Sequence, residues 1–251
     1  MKTTLILILI ATASLQAHWP WIEPGTATVP ARAHFGVYPA DRMAGPQIQA
    51  MKAAQFWSVD SSGGFKKLTP EVEADALNLG VQNGVIMSYP FGVYAGHGPA
   101  SLIIFAAKAF RGAPATASPE VLPLDILAVS NAVLHPGKPA TFRLLRNGKP
   151  LPAATVFAYT AAQGTAHSAA LKAAKASGHD HAHDAKNEGN GEVPSDALKA
   201  TSNANGEFTF TLPAARVYQL HVTVREATPG QHLGKAYESV TLVATLCLDV
   251  K

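Results

Sequence analysis

The chain has 251 residues, with 20 Lys and Arg against 17 Asp and Glu, and its formal charge of +3 is a slight imbalance. No cluster of Lys and Arg interleaved with aromatics occurs, which excludes the basic face that nucleic-acid binders use. A single cysteine, Cys247, excludes an internal disulfide, so apolar cores must hold the fold.

Lys2 precedes an apolar run, Leu5 to Ala13, that is too short to span a bilayer, and the small-residue exit Ser14-Leu15-Gln16-Ala17 follows. Residues 1–17 therefore read as a cleaved secretory signal. Cleavage after Ala17 leaves His18 as the first mature residue, where the α-amine and the imidazole can bind one transition-metal ion together. Leu15 matches the A-x-A rule less well than Ala11, which would direct cleavage after Ala13 and leave four residues ahead of His18. No cysteine at the cut offers a lipid anchor, and no later stretch of about 18 apolar residues follows. The mature chain is expected to be soluble, not membrane-embedded, and periplasmic or secreted.

Eighteen prolines and 20 glycines punctuate short runs rich in β-branched and aromatic residues, which predicts an all-β protein of short antiparallel strands. Strands are expected at Ala31 to Val37, Ala54 to Val59, Val85 to Tyr89 and Ser101 to Phe110, with Glu71 to Leu79 a strand pair or a short helical turn. Residues 113–119 are small, proline-rich and uncharged, as in a linker, and divide an N-terminal β domain (18–112) from a C-terminal β-sandwich (120–251). In the second half, Ala140 to Leu145 and Thr155 to Tyr159 flank the hairpin signal Arg146-Asn147-Gly148-Lys149-Pro150. Ser202 to Gly206 repeats the device ahead of Glu207 to Leu212, where Phe208, Phe210 and Leu212 alternate with polar residues, and Val217 to Arg225 follows. In the last strand Val240, Leu242, Ala244, Leu246 and Leu248 share one face, and Cys247 packs on the other. Between them, residues 163–199 hold no expected strand and are too polar to order, so they read as a mobile, histidine-rich insertion with a transient helix from His167 to Ala176.

The segments Pro119 to Ile126, Leu134 to Pro139 and Leu144 to Val156, with Asn205-Gly206-Glu207-Phe208, resemble an uncharacterised secreted family that includes periplasmic accessory components of nickel and cobalt uptake systems. The first half is similar as well, through Ala17-His18, Trp21, Glu23-Pro24 and His34-Phe35-Gly36-Val37. The hairpin signatures also occur in immunoglobulin-like and carboxypeptidase-regulatory-like modules, so they bear on fold more than on function. The resemblance implies that the mature-start histidine takes part in binding Ni²⁺ or Co²⁺. Pro20, third in the mature chain, supplies no amide nitrogen, so a site built from consecutive backbone amides is excluded and side chains must supply ligands.

Imidazole suits Ni, Co, Cu and Zn, so histidine count does not name the ion. In the first half the candidate ligands are His18, His34 and His97, with Glu23, Asp41 and Tyr94 as auxiliaries. In the insertion His179, His181 and His183 lie at i, i+2 and i+4, where an extended segment places them on one side with flanking Asp residues. Such tracts collect metal weakly and release it as the histidines protonate. His167 joins this collecting group. No Gly-x-Ser-x-Gly, His-Glu-x-x-His or phosphate-cradling glycine loop occurs, so no catalytic residues are assigned and turnover is not expected. The function expected is capture of nickel or cobalt and delivery to a membrane transporter. Two alternatives remain open: a surface module binding carbohydrate or protein through Trp19, Trp21, Phe56 and Trp57, and a copper histidine brace in which His18 works with His97 or His34.

Overall fold

The computed structural model describes residues 18–60, 62–95, 99–120, 122–176 and 193–251. In the first half the chain forms β1 (Trp19–Glu23), β2 (Arg32–Val37), β3 (Asp41–Arg42), α1 (Pro46–Met51), β4 (Gln55–Val59), β5 (Phe65–Leu68), β6 (Glu71–Val72), β7 (Leu77–Asn78), β8 (Gly84–Tyr94) and β9 (Ser101–Phe110). The second half adds β10 (Leu124–Ala128), β11 (Pro139–Arg146), β12 (Lys149–Pro150), β13 (Thr155–Thr160), α2 (Ala161–Ala176), β14 (Leu198–Thr201), β15 (Glu207–Thr211) and β16 (Val217–Glu226). It ends with β17 (Gly230–His232), β18 (Lys235–Tyr237) and β19 (Ser239–Asp249). The architecture is all-β, as the punctuation of the sequence predicts.

An eight-stranded sheet, ordered β14-β13-β16-β19-β9-β8-β4-β5, forms the middle of the molecule. Its strands alternate with period 2, apart from a register shift between Pro90 and Gly92 on β8, and each face feeds a different core. On β19, Val240, Leu242, Ala244, Leu246 and Leu248 enter one core, while Val243 and Cys247 enter the other. On β9, Leu102, Ala106 and Phe110 go one way and Phe105, Ala107 and Ala109 the other. Cys247 is buried, as its strand position predicts, and burial pushes its thiol well above the ordinary range. The first core is closed by a second sheet in which β11 pairs with β10, β12 and β15, contributing Leu124, Ile126, Phe142, Leu144, Phe208 and Phe210. Opposite it stands a five-stranded sheet, β1-β2-β7-β6 with β3 on β2.

That third sheet meets the middle one through its edge strand. β1 packs against β9 and β19, and the Thr245 hydroxyl donates to the Pro20 carbonyl at 3.1 Å. Its rings divide around the contact: Phe35 packs with Phe91 and Phe105, whereas Trp19 lies on His221 and Trp21 contacts Tyr38, which meets Tyr159. An edge strand with unpaired backbone groups is thereby covered.

Several expectations are corrected. The linker 113–119 joins β9 to β10, but it does not separate two packing units: β9 pairs in parallel with β19 over ten residues, Ser101 to Phe110. Both cores draw on residues from both sides of it. The turn at Asn147-Gly148 has the expected positive φ values of 50° and 74°, yet β11 returns only as far as β12. Pro150 and Pro152 cannot donate to a ladder, so the chain leaves that sheet and β13 joins the middle one. The turn before Gly206 likewise carries the chain from β14 in the middle sheet to β15 beside β11. Residues 71–78 form a strand pair, one of the two readings that the sequence allows.

The insertion 163–199 is not wholly irregular. It begins inside α2, a 16-residue helix whose alanines are strong helix formers. Thr160 and Gln163 form a reciprocal capping box: the Thr160 N–H donates to Gln163 Oε1 at 2.9 Å, and the Gln163 N–H donates to Thr160 Oγ1 at 3.4 Å. β14 starts at Leu198 and pairs with β13. Among the described residues no helix is long and apolar enough to cross a membrane.

Candidate functional site

The five-stranded sheet organises the N-terminal candidates into two histidine–carboxylate pairs. His18 lies just before β1, and Asp41 opens β3, on the far side of β2. The His18 Nε2–H donates to Asp41 Oδ2 at 3.0 Å. This fixes the ring and leaves Nδ1, the nitrogen nearer its own backbone, buried and without a hydrogen-bond partner. Asp41 Oδ1 also faces Lys172 Nζ of α2 at 3.6 Å. The helix is held there by close packing at Gly164, where a Cβ would fall 2.1 Å from the Tyr38 carbonyl oxygen.

His34 sits opposite Trp21 in the β1–β2 register, with the rings stacked at 4.4 Å and 25°. Its Nδ1–H donates to the Asp75 carbonyl at 3.1 Å, so Nε2 is the nitrogen turned toward Glu23, 3.4 Å from Oε2. At that separation the two make no well-formed hydrogen bond, and Nε2 is buried without a hydrogen-bond partner. Arg42 Nη2 approaches the same carboxylate at 3.3 Å, and its guanidinium lies over Trp21, 5.5 Å from the ring centroid. The His34 ring and then Arg42 hold the Glu23 carboxyl below the ordinary range, against the opposing effect of its partial burial. Glu23 and Asp41, both named as auxiliaries from the sequence, thus each stand beside a candidate histidine.

The two pairs do not merge. His34 is three residues along β2 from the position that faces His18, about 10 Å away. Among the described residues, no three His, Cys, Asp or Glu side chains are grouped to hold one metal ion. His18 therefore brings one ring nitrogen, a carboxylate behind the ring and, if processing exposes it, an amine on the same residue. His97, His179, His181 and His183 lie outside the described residues, and Tyr94 ends β8. His167 is carried by α2 and not by an extended loop.

Sequence reasoning missed His221. It lies on β16 with no exposed surface, beneath Trp19, with Nε2 3.0 Å from Thr223 Oγ1. Burial pushes its pKa down to about 3, so the ring is neutral. Its signal was present in Gln219-Leu220-His221-Val222-Thr223, where polar residues alternate with apolar ones on a strand whose two faces are both covered. Trp19, Trp21, Phe56 and Trp57, the aromatics available for a binding platform, are all core residues.

Residues 103–226 match the family model of a domain of unknown function, DUF4198. The DUF4198 segment runs from within β9 to the end of β16, so it takes in β10 to β15 and α2 but not β1, β2 or β3. His18, His34 and their carboxylates stand outside it, while His167 and His221 lie within it. No curated protein matches the chain.

Proposed function

We propose that the chain is an extracytoplasmic carrier of a divalent transition metal, nickel or cobalt, that takes the ion at its mature N-terminus and passes it to a membrane uptake system. The observation that carries this reading is the state of His18. Asp41 occupies Nε2 and leaves Nδ1 unpartnered, and Nδ1 is the ring nitrogen able to close a chelate with the α-amine of the same residue. A carboxylate on the distal nitrogen fixes the tautomer and raises the basicity of a ligating ring. The uptake system as recipient, and nickel or cobalt as cargo, rest on the resemblance of residues 119–156 and of the first mature residues to accessory components of such systems.

Terminal chelation supplies two donors, so the remaining coordination positions fall to water or to the recipient protein. An incompletely enclosed ion suits a carrier, because a closed four-ligand cage releases its metal slowly. His179, His181 and His183 would raise the local ion concentration without forming the tight site. The burial of Trp19, Trp21, Phe56 and Trp57 leaves the surface-module reading without its platform.

The test is mass spectrometry of the protein exported by a Gram-negative host, first denatured and then native with Ni²⁺, Co²⁺, Cu²⁺ and Zn²⁺. A chain beginning at His18 that holds one ion, with affinity lowered at least about tenfold, or 1.4 kcal/mol, in His18→Ala, supports the proposal. A chain beginning at Ser14, or one that binds no metal, overturns it. Replacing His179, His181 and His183 by Ala should leave the count of tightly bound ions unchanged.

A further inference from the structure

β1 packs against β9 and β19 of the middle sheet and reaches β16 through Trp19, on a face where polar residues stand among apolar ones. On β16 the residues facing this side are Gln219, His221 and Thr223, between Tyr159 and Phe157 of β13 and Cys247 and Thr245 of β19. Gln219 and His221 are both fully buried. The Gln219 amide has a partner at neither Nε2 nor Oε1, and His221 Nδ1 has none. Above them the indole Nε1 of Trp19, whose ring lies 4.4 Å from His221, is also buried and unpartnered. Orphaned polar atoms are rare in folded interiors, and each costs about 1–3 kcal/mol, so several in one seam require a common explanation.

Their chemistry defines the ligand. The Gln219 amide offers two N–H donors and one acceptor, Trp19 offers a donor only, and the neutral His221 ring presents one nitrogen that must donate or accept according to tautomer. A partner that serves all of these must both donate and accept. An apolar ligand does neither, and a metal ion would satisfy only acceptors and would need further ligands, whereas no three His, Cys, Asp or Glu side chains gather among the described residues. Water meets the demand: a buried water makes about three hydrogen bonds, so about two molecules suffice for these groups.

We infer that the seam between β1 and β16 is an internal hydration site in which about two bound water molecules bridge Gln219, His221 and the Trp19 indole. The site ties the strand that begins at Trp19 to the middle sheet through exchangeable bridges. Direct hydrogen bonds in its place would fix the packing of β1 at one geometry. The inference stands independently of metal binding at His18.

The test uses the mature chain. Water ¹⁷O relaxation dispersion counts long-lived internal waters, and the double variant Gln219→Leu with His221→Phe should lower that count by about two. Crystals of the unaltered protein, soaked in Ni²⁺, Co²⁺, Cu²⁺ or Zn²⁺ in parallel, give the second reading, which stands even if the variant fails to fold. Oxygen peaks within about 2.7–3.2 Å of the Gln219 amide and His221 Nδ1 support the site. An unchanged count in a folded variant, a dry seam with both groups bonded directly to protein, or an anomalous metal peak at Nδ1 overturns it.

Discussion

Trp19 lies over His221 with ring centroids 4.4 Å apart and the planes tilted by 50°, so the residue after His18 is anchored to the middle sheet. The indole is almost fully buried, and its neighbour Pro20 accepts a hydrogen bond from Thr245. Trp19→Ala should therefore cost about 3–5 kcal/mol, the usual range for deleting a large buried aromatic. Urea denaturation measures this. Metal affinity in the folded fraction should fall with it, because β1 would no longer present His18 in one place. A loss under about 1 kcal/mol would mean that Trp19 is not the anchor.

Asp41 is the second lever on the proposed site. Asp41→Asn keeps the shape of the side chain but removes the charge that orients His18 and also draws Lys172. Loss of a carboxylate behind a metal-binding histidine lowers affinity by about 10–100-fold. Isothermal titration with Ni²⁺ and Co²⁺ should show that decrease with little change in folding stability, since Asp41 is partly exposed. Equal affinities in the variant and the parent would remove Asp41 from the site.

Most of the fold was legible where alternation and turn chemistry agree. The face of β19 defined by Val240 to Leu248, the burial of Cys247, and the turns at Asn147-Gly148 and Asn203 to Gly206 all follow from local pattern. The sheet to which each strand belongs was not legible. A turn signal shows where a chain reverses but not whether the next strand pairs with the last, and here Pro150 and Pro152 send it to the other layer. The parallel pairing of β9 with β19 joins residues more than a hundred positions apart, and no local signal reports it. At the candidate site, the sequence supplied His18, His34, Glu23 and Asp41 as a pool, and the fold sorted them into two pairs. His221 was missed because one histidine in an apolar strand resembles any packed residue until both faces of that strand are known to be covered.

The buried His221 sets a pH dependence. Desolvation brings its pKa down to about 3 in the folded state, while the unfolded ring titrates near 6.5. Below about pH 6.5 the unfolded chain takes up a proton that the folded chain refuses. The contribution of this ring is thus fully present above that value and is lost as pH falls toward 3. The expected slope is about 1.4 kcal/mol per pH unit through that window. His221→Phe should flatten this limb in urea titrations at pH 7, 6, 5 and 4. An identical slope in parent and variant would show that the ring is protonated in the fold.

Lys108 and Asp125 form a charged pair in the interior, linking β9 to β10. Both side chains are at most 5% exposed. The ammonium donates to Asp125, to Ser118 Oγ at 2.7 Å and to the Ile126 carbonyl at 3.2 Å, and Ser118 in turn donates to Asp125 Oδ2 at 2.7 Å. All three ammonium hydrogens therefore have acceptors. Burial pushes the Lys108 pKa down, and Asp125 opposes that effect. Removing one partner leaves an uncompensated charge in an apolar layer, so Lys108→Met and Asp125→Leu should each cost about 3–5 kcal/mol. Removing both leaves no uncompensated charge, although the Ser118 hydroxyl loses both of these partners and the Ile126 carbonyl loses the ammonium, so Lys108→Met with Asp125→Leu should be more stable than the sum of the single losses predicts. Denaturation of the four proteins closes the cycle. Strict additivity would mean that each residue contributes through packing alone, and a double variant near the parent in stability would show that the pair chiefly specifies how β10 docks on β9.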